Sequence, residues 1–158
     1  MNYKVMMMLP QNEDSIDDYK FFKTLNEDIK LKQDENNQWD IVFEDYDRGH
    51  DLVNVTGKES LINGICIAIM TRYQELYHNP LYEDFGCRIH ELIKKNKSQM
   101  VKYKIELFCE DTLKRIRRIK KVNEIVVTDN PNNQFYAYKV FFTITCHDDS
   151  TLSGSVNL

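Results

Sequence analysis

The chain has 158 residues, 42% of them apolar and 29% charged. That suffices for one domain with its own core, and it excludes collagen-like, low-complexity and wholly disordered classes. Lys and Arg number 21 against 25 Asp and Glu, a net charge of −4, which argues against a dedicated nucleic-acid binder.

Nine Tyr and eight Phe stand against five Gly and three Pro, which predicts long elements joined by modest loops. Val5-Met6-Met7-Met8-Leu9 is too short for a signal peptide, and acids follow it. No window approaches the roughly 18 apolar residues that a membrane helix needs. Cys66, Cys87, Cys109 and Cys146 form no CxxC pair, so they read as buried reduced thiols of a chain made in a reducing cytoplasm, with no metal and no cofactor. Charge is segregated. Residues 12–51 carry thirteen acids and five bases, whereas 94–121 carry eleven bases and three acids. Such a dipole suits directed assembly.

In chain order, residues 1–27 read as an acidic arm or loop and 28–158 as one α+β domain. Asp28-Ile29-Lys30-Leu31-Lys32-Gln33 alternates polar and apolar, Asp34-Glu35-Asn36-Asn37 is turn chemistry, and Trp39 to Phe43 resumes the extended pattern. This predicts an N-terminal β-hairpin over about 28–45. Thr56-Gly57-Lys58-Glu59 is a capping box, opening a helix over about 57–75 with Leu61, Ile62, Ile65, Cys66, Ile69 and Tyr73 on one stripe. Gly64 marks a point where a neighbouring backbone can approach. Asn79-Pro80 breaks the pattern. Cys87 to Lys95 predicts a short second helix. Ser98 caps a third, striped by Val101, Ile105, Phe108, Cys109, Thr112, Leu113 and Ile116.

After Ile119 the period becomes two. Val122 to Thr128 reads as a strand and Asp129-Asn130-Pro131-Asn132-Asn133 as a turn. Residues 134–147 form the longest strand, with Tyr136, Tyr138, Val140, Phe142, Ile144 and Cys146 on its apolar face. Residues 151–158 form a last strand with Leu152, Gly154, Val156 and Leu158 on one face. The predicted fold is therefore α+β: an N-terminal β-hairpin, three helices, then a C-terminal antiparallel three-stranded meander in one sheet.

Motifs for chemistry are missing. His90-Glu91 opens like a zinc-protease helix, but Lys94 stands where the second histidine belongs, and no GxSxG, P-loop or GxGxxG occurs. With 25 acids, carboxylate pairs arise by number alone, so no enzyme is predicted. Lys114-Arg115-Ile116-Arg117-Arg118-Ile119-Lys120-Lys121 reads as a partner-facing or solvated helix end, or as a phosphate-binding patch. The last strand carries no Pro, Lys or Arg. It reads either as a frayed terminus or as an edge open to a partner strand.

From Asp51-Leu52 through Thr56-Gly57-Lys58-Glu59-Ser60-Leu61, Ile65, Ile69, Thr71-Arg72, His78-Asn79-Pro80, Phe85-Gly86, Glu91-Leu92-Ile93 and Arg118-Ile119 to the strand 122–128, the ordered set resembles the sheath-initiator or baseplate wedge family of contractile phage tails and related injection systems. Leu9-Pro10 before an acidic stretch is similar to its prophage branch. Two departures stand out. Tyr73-Gln74 follow Thr-Arg where the family often has Gly, and Ile116-Arg117-Arg118 replaces the family's Glu-Pro-Arg.

The resemblance implies a structural baseplate subunit in several copies around a six-fold particle. It would be assembled in the host cytoplasm and built into a virion tail or tail-like particle. Its implied partners are other wedge proteins, sheath protein, and tube or hub proteins, without membrane or nucleic acid. Arg115, Arg117 and Arg118 are expected to dock on a wedge partner. Tyr136, Tyr138, Leu152, Gly154 and Val156 are expected to lie in the sheet that sheath subunits extend by strand pairing. The alternative is a regulatory or adaptor module on the same scaffold.

Overall fold

Three short stretches of alternating polarity meet at one point. In the computed structural model, which describes residues 27–33, 39–46, 49–92, 95–130 and 138–158, β1 (Glu27–Ile29) pairs antiparallel with β6 (Asn54–Thr56), β2 (Leu31–Gln33) with β3 (Trp39–Ile41), and β4 (Phe43–Tyr46) with β5 (Gly49–Leu52). The residues between them close a triangle of backbone hydrogen bonds. Lys30 N–H donates to Val53 C=O at 2.8 Å, Val53 N–H to Val42 C=O at 3.1 Å, and Val42 N–H to Lys30 C=O at 3.0 Å. Each strand thus changes partner at its midpoint, producing three two-stranded arms around a junction.

This corrects the single hairpin expected over 28–45. Strands β2 and β3 do pair antiparallel, but the strands flanking them pair elsewhere. Alternation records which face is wet and is blind to the partner. The turn expected at 34–37 and the acidic loop at 10–24 lie outside the described residues.

Helix α1 (Gly57–Met70) buries Leu61, Ile65, Cys66, Ala68 and Ile69. The capping box does not form. Thr56 is the N-cap, but its side chain makes no cap bond, and Gly57 at φ +59° turns the chain out of the geometry the box requires. Gly64 faces open space, so no neighbouring backbone approaches it. The helix stops earlier than its stripe suggests because Thr71 turns extended, at ψ 136°, and Arg72 then pairs in parallel with Cys87.

The expected second helix is also corrected. Arg88–Leu92 is a five-residue 3-10 turn, so the described residues hold two α-helices and not three. Ile89 and Leu92, both buried, are three apart, a spacing that eclipses in a 3-10 turn as readily as it aligns in an α-helix. Helix α2 (Gln99–Lys114) begins as its sequence predicts, with Ser98 Oγ accepting from Val101 N–H at 3.2 Å.

The closing sheet is an antiparallel meander in the order β7 (Ile119–Asp129), β8 (Tyr138–Cys146), β9 (Thr151–Asn157). Helix α2 packs over β7, and α1 reaches β9. One core joins Ile65, Ile69, Cys109 and Leu113 of the helices to Val140, Phe142, Ile144 and Val156 of the sheet. The long apolar alternation of β8 is buried at Tyr138, Val140, Phe142 and Ile144, as its period requires.

Candidate functional site: the free edge of the closing sheet

The two outer strands of the sheet differ in how they are guarded. Strand β7 carries Lys120 and Lys121, has register shifts between Ile119 and Lys121 and between Val122 and Glu124, and has Glu106 Oε1 accepting from Val127 N–H at 3.3 Å. Charge, bulges and a side-chain cap all discourage a further strand. Strand β9 lacks the charge and the bulges, and its side-chain cap among the described residues is confined to Asn157 at its end. Its residues, Thr-Leu-Ser-Gly-Ser-Val-Asn, are uncharged, and its register with β8 is unbroken from Thr151 to Asn157.

The pairing pattern fixes which peptide groups are free. Tyr138 and Leu158 exchange both backbone bonds, at 3.1 and 2.7 Å, and Cys146 N–H donates to Ser150 C=O at 2.9 Å. In an antiparallel pair such positions alternate, so Leu152, Gly154 and Val156 turn their N–H and C=O toward β8. Thr151, Ser153, Ser155 and Asn157 turn theirs away. Among the described residues no strand lies on that side. Among the described residues only Asn157 finds a partner there. The Gln33 carboxamide accepts from its N–H at 3.2 Å and donates to its C=O at 3.0 Å, imitating a neighbouring strand. No described residue pairs with the outward backbone groups of Thr151, Ser153 and Ser155.

Of the residues singled out from sequence, Leu152 and Val156 are buried and serve as the hydrophobic anchor of β9. The outward groups belong to their neighbours. Burial of the alternate residues was legible, but bond parity follows only from register with β8. Gly154 is where Phe142 lies across the backbone, since a Cβ there would meet the ring at 2.5 Å. Tyr138 is buried under the Lys97 ammonium, 5.9 Å from its ring centroid, and burial pushes its phenol up from the ordinary value. Its hydroxyl lies near the Ser98 backbone without reaching hydrogen-bond geometry. Tyr136 lies outside the described residues.

The three arginines separate. Arg115 clamps the 71–87 loop onto α2. It donates to the carbonyls of Asp84 and Gly86, the latter at 3.0 Å, pairs with Asp111 at 3.4 Å, and lies 4.9 Å from the Tyr73 ring centroid. Gly86, at φ +99°, is pressed against Arg72, whose carbonyl oxygen would lie 2.4 Å from an added Cβ. Thr71-Arg72, Phe85-Gly86 and Arg115, far apart in sequence, are thus one structural knot. Arg118 donates to Gly57 C=O at 3.0 Å and is half-buried, which lowers its pKa by desolvation. Arg117 is exposed, its own carbonyl taken by His147 Nε2 at 2.9 Å.

The remaining titratable candidates have structural partners. His90 Nε2 contacts the Met70 carbonyl at 2.9 Å at the end of α1, His50 pairs with Asp45, and His78 stacks on Tyr77. Cys66, Cys87 and Cys109 are buried free thiols. Burial pushes Cys66 up to about 11. Cys87 Sγ donates to the Phe108 carbonyl at 3.5 Å, and its interaction with the Cys109 thiol lowers Cys87 and raises Cys109. No cluster of three or more metal-ligating side chains occurs among the described residues. No described helix is long and apolar enough to cross a membrane.

No family model matches the chain, and no curated protein matches it in sequence. Among solved structures the fold is similar to that of a protein provisionally named a tail lysozyme, from Geobacter sulfurreducens. The TM-score is 0.57 with 16% identity, over 68% of this chain and 95% of that one. At that identity the likeness is one of fold.

Proposed function

We propose that the chain is a structural, non-enzymatic subunit of a contractile-tail particle, joining the baseplate wedge to the tube and starting the first sheath ring by strand addition. The observation that carries the reading is the β9 edge. Among the described residues its outward peptide groups at Thr151, Ser153 and Ser155 are unpaired, unbulged and uncharged, whereas the opposite edge of the same sheet is guarded three ways. Backbone pairing is repeated and indifferent to side-chain identity, which suits a joint that must survive contraction. The solved structure of similar fold carries a tail protein's name, and the ordered residues from Thr56 to Ile119 point the same way. Arg117, the arginine turned to solvent, is the one positioned to meet a wedge partner.

Hydrogen exchange tests the reading. In the isolated protein the amides of Ser153 and Ser155 should exchange freely, because no described group accepts from them. Within assembled particles both should be protected while Val156 is unchanged. Free exchange of both amides in particles bearing full sheaths would refute strand addition at β9.

A further inference from the structure

One end of the β9 edge is already occupied, and the occupant is a side chain. Gln33, the last residue of β2, lies 124 positions from Asn157 in the chain. Its Oε1 accepts from the Asn157 N–H at 3.2 Å, and its Nε2 donates to the Asn157 C=O at 3.0 Å. A residue of a neighbouring antiparallel strand exchanges the same two bonds. A carboxamide carries the donor and the acceptor of a peptide group on one planar unit, so it reproduces that exchange without a backbone.

Gln33 is held in place from two sides. On β3 it lies directly opposite Trp39. Opposed side chains share a face of the ribbon, and Trp39 packs against the core, so Gln33 is carried on the face turned to the domain. At the other end of β2, the buried Asn63 side chain of α1 accepts from the Leu31 N–H at 3.4 Å and donates to the Ile29 C=O at 2.7 Å. A second carboxamide thus fastens this stretch of chain to the helix.

The energetics along the edge are uneven. A partner strand arriving at Thr151, Ser153 and Ser155 gains hydrogen bonds that no described residue supplies. At Asn157 it would break two bonds to form two of the same kind, and its backbone would have to enter the space that the carboxamide fills. We propose that Gln33 is a stop, which ends the added strand at Ser155 and so fixes which residues of an extended partner segment pair with β9. That role rests on the strand addition proposed above. Small, polar, glycine-containing strands specify register weakly, and β9 is one. A partner that slides away from Asn157 loses rungs, and one that slides toward it meets Gln33.

Hydrogen exchange of the full-length protein, isolated and in assembled particles, tests the stop. In the isolated wild type the Asn157 amide should exchange at least about tenfold more slowly than those of Ser153 and Ser155. Gln33→Met keeps the length of the side chain and loses both bonds. It should bring Asn157 to the rate of Ser153 and Ser155 and leave Val156, which pairs with Val140, unchanged. Thermal melts verify that the variant folds. In wild-type particles new protection should cover Ser153 and Ser155 and leave Asn157 as it was. In Gln33→Met particles the partner should advance, so that Asn157, exposed in the isolated variant, becomes protected. Three results overturn the stop alone: an Asn157 amide as fast as Ser153 in the isolated wild type, one unmoved by Gln33→Met, or one still exposed in variant particles whose Ser153 and Ser155 are protected. Unprotected Ser153 and Ser155 in wild-type particles overturn strand addition, and the stop with it.

Discussion

Replacing Ser153 by proline separates the two edges of β9. The Ser153 N–H points away from β8, so proline removes no bond of the meander. Edge strands tolerate proline where the missing N–H faces outward, and the isolated subunit should lose under about 1 kcal/mol. An arriving strand would fare worse. One of its carbonyls would find no donor, at about 1–3 kcal/mol, and docking should weaken roughly 5- to 150-fold. Val156→Pro is the counterpart. Val156 is fully buried and its N–H faces Val140, so this change costs about 3 kcal/mol or more of folding stability. Thermal melts of both variants, with electron microscopy of particles carrying Ser153→Pro, complete the assay. Near wild-type melting with short or absent sheaths is expected. Normal sheaths on a well-folded Ser153→Pro subunit would refute edge pairing, and a melt as depressed as that of Val156→Pro would refute the assigned bond parity.

Three glycines should respond differently to alanine, read by denaturant unfolding. Gly64→Ala should stabilise by about 0.5–1 kcal/mol, since the position is helical and the space open; Gly154→Ala should cost about 1–3 kcal/mol by displacing Phe142; Gly86→Ala should cost about 3 kcal/mol or more, combining a left-handed φ with a backbone clash. Arg115→Ala should destabilise by about 2–3 kcal/mol and raise hydrogen exchange in the 71–87 loop, because several charge-assisted bonds are lost together. Cys66, Cys87 and Cys109 should react with an aromatic disulfide reagent only as fast as the protein opens, and Cys146 faster, followed by absorbance in native buffer. Lys102 beside Asp129 holds that carboxyl below the usual range, so its contribution to stability is present above the unfolded pKa and is lost as pH falls through the folded one; an NMR titration should show the low value, and Lys102→Met should restore an ordinary one.

Local rules written in the chain determined much of this protein. The alternation of β8, the Ser98 cap, the stripe of α2 and the clean, uncharged β9 are each satisfied by residues a few positions apart, and each stands in the fold where the sequence places it. Tertiary contacts decided the rest. A period of two cannot name a strand's partner, so the junction at Lys30, Val42 and Val53 was hidden behind an apparent hairpin. A spacing of three cannot separate an α-helix from a 3-10 turn at 88–92. The basic run at 114–121 looked like one surface. Folding turned Arg115 and Arg118 inward to carbonyls at Gly86 and Gly57 and left Arg117 outside, because those acceptors belong to a loop residue and a helix-start residue 29 and 61 positions away. Likewise, the exposed peptide groups at the carboxy-terminal edge are chosen by register against β8, and register is a property of two strands at once.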